Sequence, residues 1–309
     1  MLGFLGNRTC PIGVDFGDDA LTLVQMGGGA DGVGLVAADS TQYPPDIKQG
    51  SPQWQRWAID SLGQLLARGG FQGKKATAAL PPSEVHIDHM PMPKAGAGDL
   101  PKAIIANMRP RLQIAPDDVA MEYVKTEGDN ILVMASERAR VYRHLAIYEK
   151  VRLKVASISV WPTAVLKAYA HLWARHREPA NGAVMLLDIA PSCTNIVICD
   201  SANLYFARSA PVGAKNLDID RMVELLGSEM DLCRVKFRAA YKKAQVSHII
   251  FVSGHAVDKD VYTKIAQRAQ MSAQVGDCLD AVGAASPANT PDDQSPAPNW
   301  ITAMGLSLS

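Results

Sequence analysis

What the chain lacks narrows the field first. It has no excess of either charge: Lys and Arg number 31, Asp and Glu 31, so no global field draws it toward nucleic acid or an anionic lipid surface. Its five cysteines (Cys10, Cys193, Cys199, Cys233, Cys278) contain no C-x-x-C pair. Three of them lie in apolar runs, and the reading is buried, reduced thiols rather than disulfides or a metal site. No apolar run approaches the ~18 residues of a membrane span, and the opening MLGFLGNRTC is too short for a signal peptide. A cytoplasmic protein is expected. With 48% hydrophobic and 20% charged residues over 309 positions, the composition is that of an ordinary globular chain with room for about two domains.

What is present is organised around Gly182–Gly213, GAVMLLDIAPSCTNIVICDSANLYFARSAPVG. It reads as three successive strands, Val184–Ile189, Ile196–Cys199 and Leu204–Arg208. Asp188 sits near the end of the first, where an unpaired carboxylate in apolar surroundings would be expensive. The small-residue turn that follows offers backbone N–H groups and the hydroxyls of Ser192 and Thr194. A hairpin of that chemistry can hold a phosphate, with the acid reaching a metal or its water. The same residues also fit a plain meander in which Asp188 caps its own turn.

The N-terminus repeats the arrangement. IGVDFG, a turn at Asp18–Asp19, a strand Leu21–Met26, a glycine turn and a strand Val33–Ala38 follow one another. Placing Asp15 on Asp188 puts Gly17 on Ala190, Thr22 on Asn195 and Val24 on Val197. Two such units predict an internal duplication, and two facing hairpins with strand-end aspartates describe a nucleotide cleft between related lobes. The pattern resembles the two phosphate motifs of the superfamily of actin, heat-shock chaperone ATPases and sugar kinases.

Between the hairpins, Pro52–Arg68 has the helical spacing of a core stripe (Trp54, Trp57, Ala58, Leu62, Leu65), with Ser51-Pro52 to start it and Gly69-Gly70 to stop it. Gly27–Gly32 matches G-x-G-x-x-G in form but leads into a strand, not a helix, which excludes a dinucleotide site. From Ser83 to about Val155 the pattern is a β-α-β-β-α module of its own, with a helix predicted to start at a Ser136 cap. His86 and His89 alternate across their strand and share no metal. Trp161–His176, Leu217–Lys243 (mostly one long helix, with room for an interruption near Gly227) and Asp258–Ala269 read as helices, Gly283–Asn299 as a mobile loop rich in Ala, Pro, Ser and Asp, and Trp300–Leu308 as a short closing helix.

The order of these elements, with the module inserted before the helix that begins WPTA, resembles PilM, the actin-like family of type IV pilus assembly proteins related in architecture to FtsA. The resemblance rests on IGVDFG, on Val85–Pro93 at the start of the module, on LLDIAP and on the terminal AMGLSLS. It implies an α/β fold of two actin-like (ribonuclease H-like) lobes. Residues 1–82 with 154–180 would form the first lobe, 83–153 the inserted module, and 181–309 the second lobe. It further implies a cytoplasmic protein docked under the inner membrane, holding the N-terminal tail of a PilN-like membrane protein in a groove at the module. The pilus or secretion assembly ATPase complex and a second copy of the chain are further partners it would allow. Should ATP bind, the resemblance assigns Asp15, Gly17, Asp188, Ser192, Thr194, Gly213 and Gly254 to it, with Asp15 and Asp188 reaching Mg.

Several departures from the family pattern set the functional expectation. Asp18-Asp19 stand where Ser or Thr is expected, Ala190 replaces a glycine whose absence of Cβ lets backbone approach a phosphate, and Ala214 and Asp218 alter the turn after Gly213. His255 stands in place of a glycine in the adenosine motif, and Trp161 where related ATPases place the acid that orients water. About 35 residues separate Gly213 from Ile249 and read as one helix, leaving no room for the subdomain that walls the adenine pocket. The reading is a non-catalytic scaffold with ATP and Mg weakly held or lost, and no catalytic residue is assigned. An ATP-binding switch or slow ATPase of the same family is the alternative. A sugar kinase has no segment to supply its base.

Overall fold

The computed structural model describes residues 9–29, 32–96, 98–174, 182–215, 217–242, 245–253, 257–284 and 298–309. Two five-stranded sheets share one topology. The first contains β1 (Thr9–Phe16), β2 (Ala20–Gly29), β3 (Gly32–Gln42), β4 (Lys75–Leu80) and β8 (Lys154–Val160), in the order β3-β2-β1-β4-β8. The second contains β9 (Ala183–Ile189), β10 (Thr194–Cys199), β11 (Leu204–Ala210), β12 (Val246–Phe251) and β13 (Ala273–Val275), in the order β11-β10-β9-β12-β13. Each is an antiparallel meander joined to two parallel strands. The duplication holds down to the register. Asp15 pairs with Thr22 and Thr22 with Ser40, while Asp188 pairs with Asn195 and Asn195 with Ser209.

Side-chain alternation along the central strands builds the layers. All seven residues of β9 are buried. Met185, Leu187 and Ile189 enter a core with Met222, Leu226, Met230 and Phe237 of helix α5 (Ile219–Ala240), while Val184 and Leu186 face the opposite core. Such two-sided burial is what a near-continuous apolar run in a parallel sheet specifies. In the first lobe, helix α1 (Pro52–Arg68) starts where the Ser51 hydroxyl accepts from the Trp54 N–H, and it buries Trp54, Ala58, Leu62 and Leu65. Helix α5 starts in the same way on the Asp218 side chain and runs without interruption through Gly227. Among the described residues no further strand lies between α5 and β12, which matches the expected loss of the second small subdomain.

The closing helix α8 (Ile301–Ser307) is buried at every position and packs against β1, β2 and β4 of the first sheet. Two glycines permit this. A Cβ on Gly305 would lie 1.9 Å from the Ala164 carbonyl oxygen of helix α4 (Trp161–Leu172), and one on Gly13 would lie 1.9 Å from that of Ala303. Ser307 completes the packing: its hydroxyl donates to the Pro11 carbonyl at 2.7 Å and accepts from the Met26 N–H at 2.8 Å. These bonds satisfy backbone groups at the irregular register between Thr9 and Ile12.

A third sheet lies to one side. It is formed by β5 (His86–Pro91), β6 (Val119–Lys125) and β7 (Asn130–Glu137) in the order β5-β7-β6, with helix α2 (Leu100–Met108) between β5 and β6 and helix α3 (Arg138–Lys150) leading back to β8. The Ser136 cap is a misreading. Ser136 is the penultimate residue of β7, Glu137 stands at the cap position without a side-chain bond, and α3 begins at Arg138. Strand and helix abut here, so the strand claims the serine. Buried Glu84 accepts hydrogen bonds from Arg143 and His144 and ties the start of this region to α3. On the other side it meets the second lobe. The His89 ring stacks on Phe206 with centroids 3.9 Å apart, and the Tyr241 hydroxyl donates to Thr126 Oγ1 at 2.6 Å.

Helix α6 (Lys259–Ala269) forms as expected, whereas β13 and the four-residue helix α7 (Cys278–Ala281) are too short to show a period in sequence. The loop expected at Gly283–Asn299 falls mostly on residues 285–297, outside the described residues, as does the end of the expected helix beyond 174. All five cysteines are free thiols. No helix among the described residues is long and apolar enough to cross a membrane.

Candidate functional site

The two equivalent strand ends, β1 and β9, deliver Asp15 and Asp188 to one cavity of about 580 Å³ between the lobes. Each is 8% exposed. Gly17, Asp18, Asp19, Tyr43, Trp161, Lys215 and Asn299 also line it. Four carboxylates therefore face a space whose lining, among the described residues, holds a single Lys or Arg, Lys215.

The carboxylates are held differently. The Asp15 carboxyl has no hydrogen-bond partner among the described residues, and burial, with the charge of Asp188 adding to it, pushes its pKa up to about 7. Asp188 accepts from Asn195 Nδ2 at 3.1 Å and from Asn299 Nδ2. Burial still pushes it up to about 6, with those two amides opposing the rise and Asp18 and Asp19 adding to it. Burial also raises Asp19, and the neighbouring Asp18 adds to this, while Lys215 opposes it. Tyr43, half-buried beside Asp15, is held in its neutral form, and its hydroxyl donates to the Gly17 carbonyl at 3.1 Å.

Asp18 points across the cleft. The Ser192 N–H donates to its Oδ2 at 2.6 Å and the Ser192 hydroxyl to its Oδ1 at 2.5 Å. The turn of the second hairpin, which could present donors to a ligand, presents them to the first hairpin instead. Thr194 is fully buried and its hydroxyl donates to the Val212 carbonyl at 2.6 Å, so it staples the hairpin and does not reach the cleft. Gly213 lies under the turn, where a Cβ would come within 2.3 Å of the Pro191 carbonyl oxygen. Its glycine is required by packing against the turn, and it does not line the cavity. Gly254 lies outside the described residues.

Of the residues expected from the sequence, the structure thus brings Asp15, Gly17 and Asp188 together at the cavity and places Ser192 at its edge, bonded to Asp18. Tyr43, Lys215 and Asn299 were not anticipated. Each belongs to an element remote in sequence, and only the duplicated register hinted at Asn195, as the partner of Thr22. Trp161 is 1% exposed and its indole N–H has no partner among the described residues. Among the described residues no group of three His, Cys, Asp or Glu side chains is placed to hold a metal ion. Of the four acids that line the cavity, Asp15 and Asp188 are the two at the equivalent strand ends.

No protein-family model matches the sequence, and no curated protein matches it. Solved structures do. The chain is similar to a chain of the PilM-PilN type IV pilus biogenesis complex, with 19% identity, a TM-score of 0.76, and coverage of 96% of this chain and 97% of that one. It is also similar to the ethanolamine utilization protein EutJ from Carboxydothermus hydrogenoformans (13% identity, TM-score 0.52, coverage 100% and 92%). A third match is the cytoplasmic domain of EpsL, an inner membrane component of the type II secretion system of Vibrio cholerae (8% identity, TM-score 0.52, coverage 97% and 94%). The fold is the actin-like fold of these proteins, and at this level the resemblance to PilM read from the sequence is borne out.

Proposed function

We propose that the chain is a cytoplasmic actin-fold scaffold of type IV pilus or related secretion machinery. In this reading it docks the N-terminal tail of a PilN-like membrane protein, through which it is held at the inner membrane beside the assembly ATPase complex. Residues 1–82 with 154–180, 83–153 and 181–309 would act as first lobe, tail-binding module and second lobe. The observation that carries the reading is a pair of open sheet edges facing one groove. β6 ends the three-stranded sheet and β8 ends the first lobe's sheet. A groove lined by Val85, Ala120, Met121, Val141, Ile158 and Val160 runs between them. A second hollow on β6, lined by Pro101, Ile105, Met121 and Tyr123, continues it. Unpaired strand edges over apolar pockets suit an extended peptide, whose backbone adds to the sheet while alternate side chains fill the hollows.

The test is fluorescence anisotropy with a labelled tail peptide of the PilN-like partner. Met121→Asp and Val141→Asp place charges in the groove and are expected to weaken binding at least about tenfold each, since an apolar contact is lost and a carboxylate desolvated. Unchanged affinity in the double variant would remove the groove from the proposal.

The central cleft is read as a degenerate nucleotide site. Asp18 and Asp19 set negative charge beside any triphosphate, and Trp161 offers no group to orient water. One observation favours the second reading, an ATP-binding switch or slow ATPase: Asp15 and Asp188 share a cavity of about 580 Å³, enough for a nucleotide with its metal. ATP–Mg calorimetry separates the two, the scaffold reading requiring weak binding or none.

A further inference from the structure

One side chain joins the two hairpins that flank the cleft. Asp18, in the turn after β1, gives one carboxylate oxygen to the Ser192 N–H and the other to the Ser192 hydroxyl, at 2.6 and 2.5 Å. A backbone N–H and a hydroxyl converging on two oxygens of one anion form a donor set that suits a phosphoryl group as well as a carboxylate, because both present paired anionic oxygens. Electrostatics alone would not put Asp18 there. Asp15, Asp19 and Asp188 line the same cavity and, among the described residues of its lining, Lys215 alone carries the opposite charge, so the two donors on the opposite lobe must offset the repulsion of like charges.

The geometry points to Asp18 as the residue that excludes phosphoanions from this cleft. Its carboxylate occupies, from within the chain, the place on the second turn that a phosphoryl group would take, and it ties the lobes together in doing so. The inference deepens the reading of the cleft as a degenerate nucleotide site and rests on it. Asp18 also divides the space. Gly17 and Asp18 line both the central cavity and a second one of about 460 Å³, which lies toward β5 beside Ser83, His86, Arg208 and Lys236.

The experiment is isothermal titration of the full chain with pyrophosphate, with and without Mg, for the wild type, Asp18→Ala, Asp18→Asn and the double variant Asp18→Ala/Ser192→Ala. Removing one like charge and freeing two donors is expected to tighten pyrophosphate binding about ten- to a hundredfold in Asp18→Ala. Asp18→Asn, which keeps an oxygen for the Ser192 N–H, gains less, and the double variant loses the share of the gain that the Ser192 hydroxyl supplies while keeping the part due to the N–H and the lost charge. Equal affinity in the wild type and Asp18→Ala, or a double variant that binds as tightly as Asp18→Ala, overturns the inference. Should Asp18→Ala not be recovered folded, Asp18→Asn carries the test, and affinity equal to the wild type overturns it. Tight ATP–Mg binding by the wild type would sink the degenerate-cleft reading itself, whereas equally weak pyrophosphate binding by wild type and variant sinks only the part given to Asp18.

Discussion

Asp15 shows what burial does to a single strand-end acid. Its strand delivers it to a cavity where no described residue bonds to it, and its pKa rises from 3.8 to about 7 through burial first and Asp188 second. Because the folded pKa lies above the unfolded one, the native state holds the extra proton between these values. Stability is therefore greatest at the acid end of that window and falls as pH rises through about 7. Asp15→Asn removes the charge at nearly constant volume, so it should stabilise the protein at pH 7.5 by about 1–3 kcal/mol. The gain should vanish near pH 4, as read by urea denaturation at both values. A loss of stability at pH 7.5 would mean that the carboxylate has a partner. Sequence alone marked Asp15 and Asp188 because a strand-end acid repeated at one spacing is a local pattern. It misjudged Thr194, whose hydroxyl is consumed by the Val212 carbonyl, because that bond depends on how the chain returns 18 residues later. The neutral His89 ring, stacked on Phe206 and accepting from the Ala207 N–H at 3.2 Å, was equally hidden.

Elements were legible where their periods were long. α1, α5 and the two meanders follow from apolar spacing and caps, whereas β13 and α7 span too few residues to declare a period, and the start of α3 was misplaced because β7 runs into it. The terminal helix α8 is a different case. Its seven residues carry no polar face, so sequence gives its existence but not its place, which is set by two glycines that let backbone meet backbone. That placement is testable. Gly305→Ala puts a Cβ 1.9 Å from the Ala164 carbonyl oxygen, a contact relieved only by parting α8 from α4. Overpacking of this kind costs about 1–3 kcal/mol or more, and the melting temperature should drop by several degrees while Gly34→Ala, whose Cβ would meet nothing within 4 Å, leaves it nearly unchanged. Equal behaviour of the two variants would show that this packing is loose.

At the scale of the molecule, the duplicated sheets and the inserted third sheet follow from the order of motifs along the chain. The relations between bodies do not. The bond of Asp18 to Ser192, the stacking of His89 on Phe206 and the meeting of the β6 and β8 edges each join segments far apart in sequence, and no local pattern announces them. In the proposed reading these relations matter most for function, since one of them bridges the cleft and another leaves a groove between two sheet-edge strands beside it. The account predicts that activity lies in the groove. Hydrogen–deuterium exchange of the full chain, alone and saturated with the PilN-like tail peptide, tests this most directly. Slowed exchange is predicted at Val119–Lys125 and Lys154–Val160, the β6 and β8 edges, with α5 unchanged. Protection confined to the central cleft, or none at either edge at saturating peptide, would contradict it.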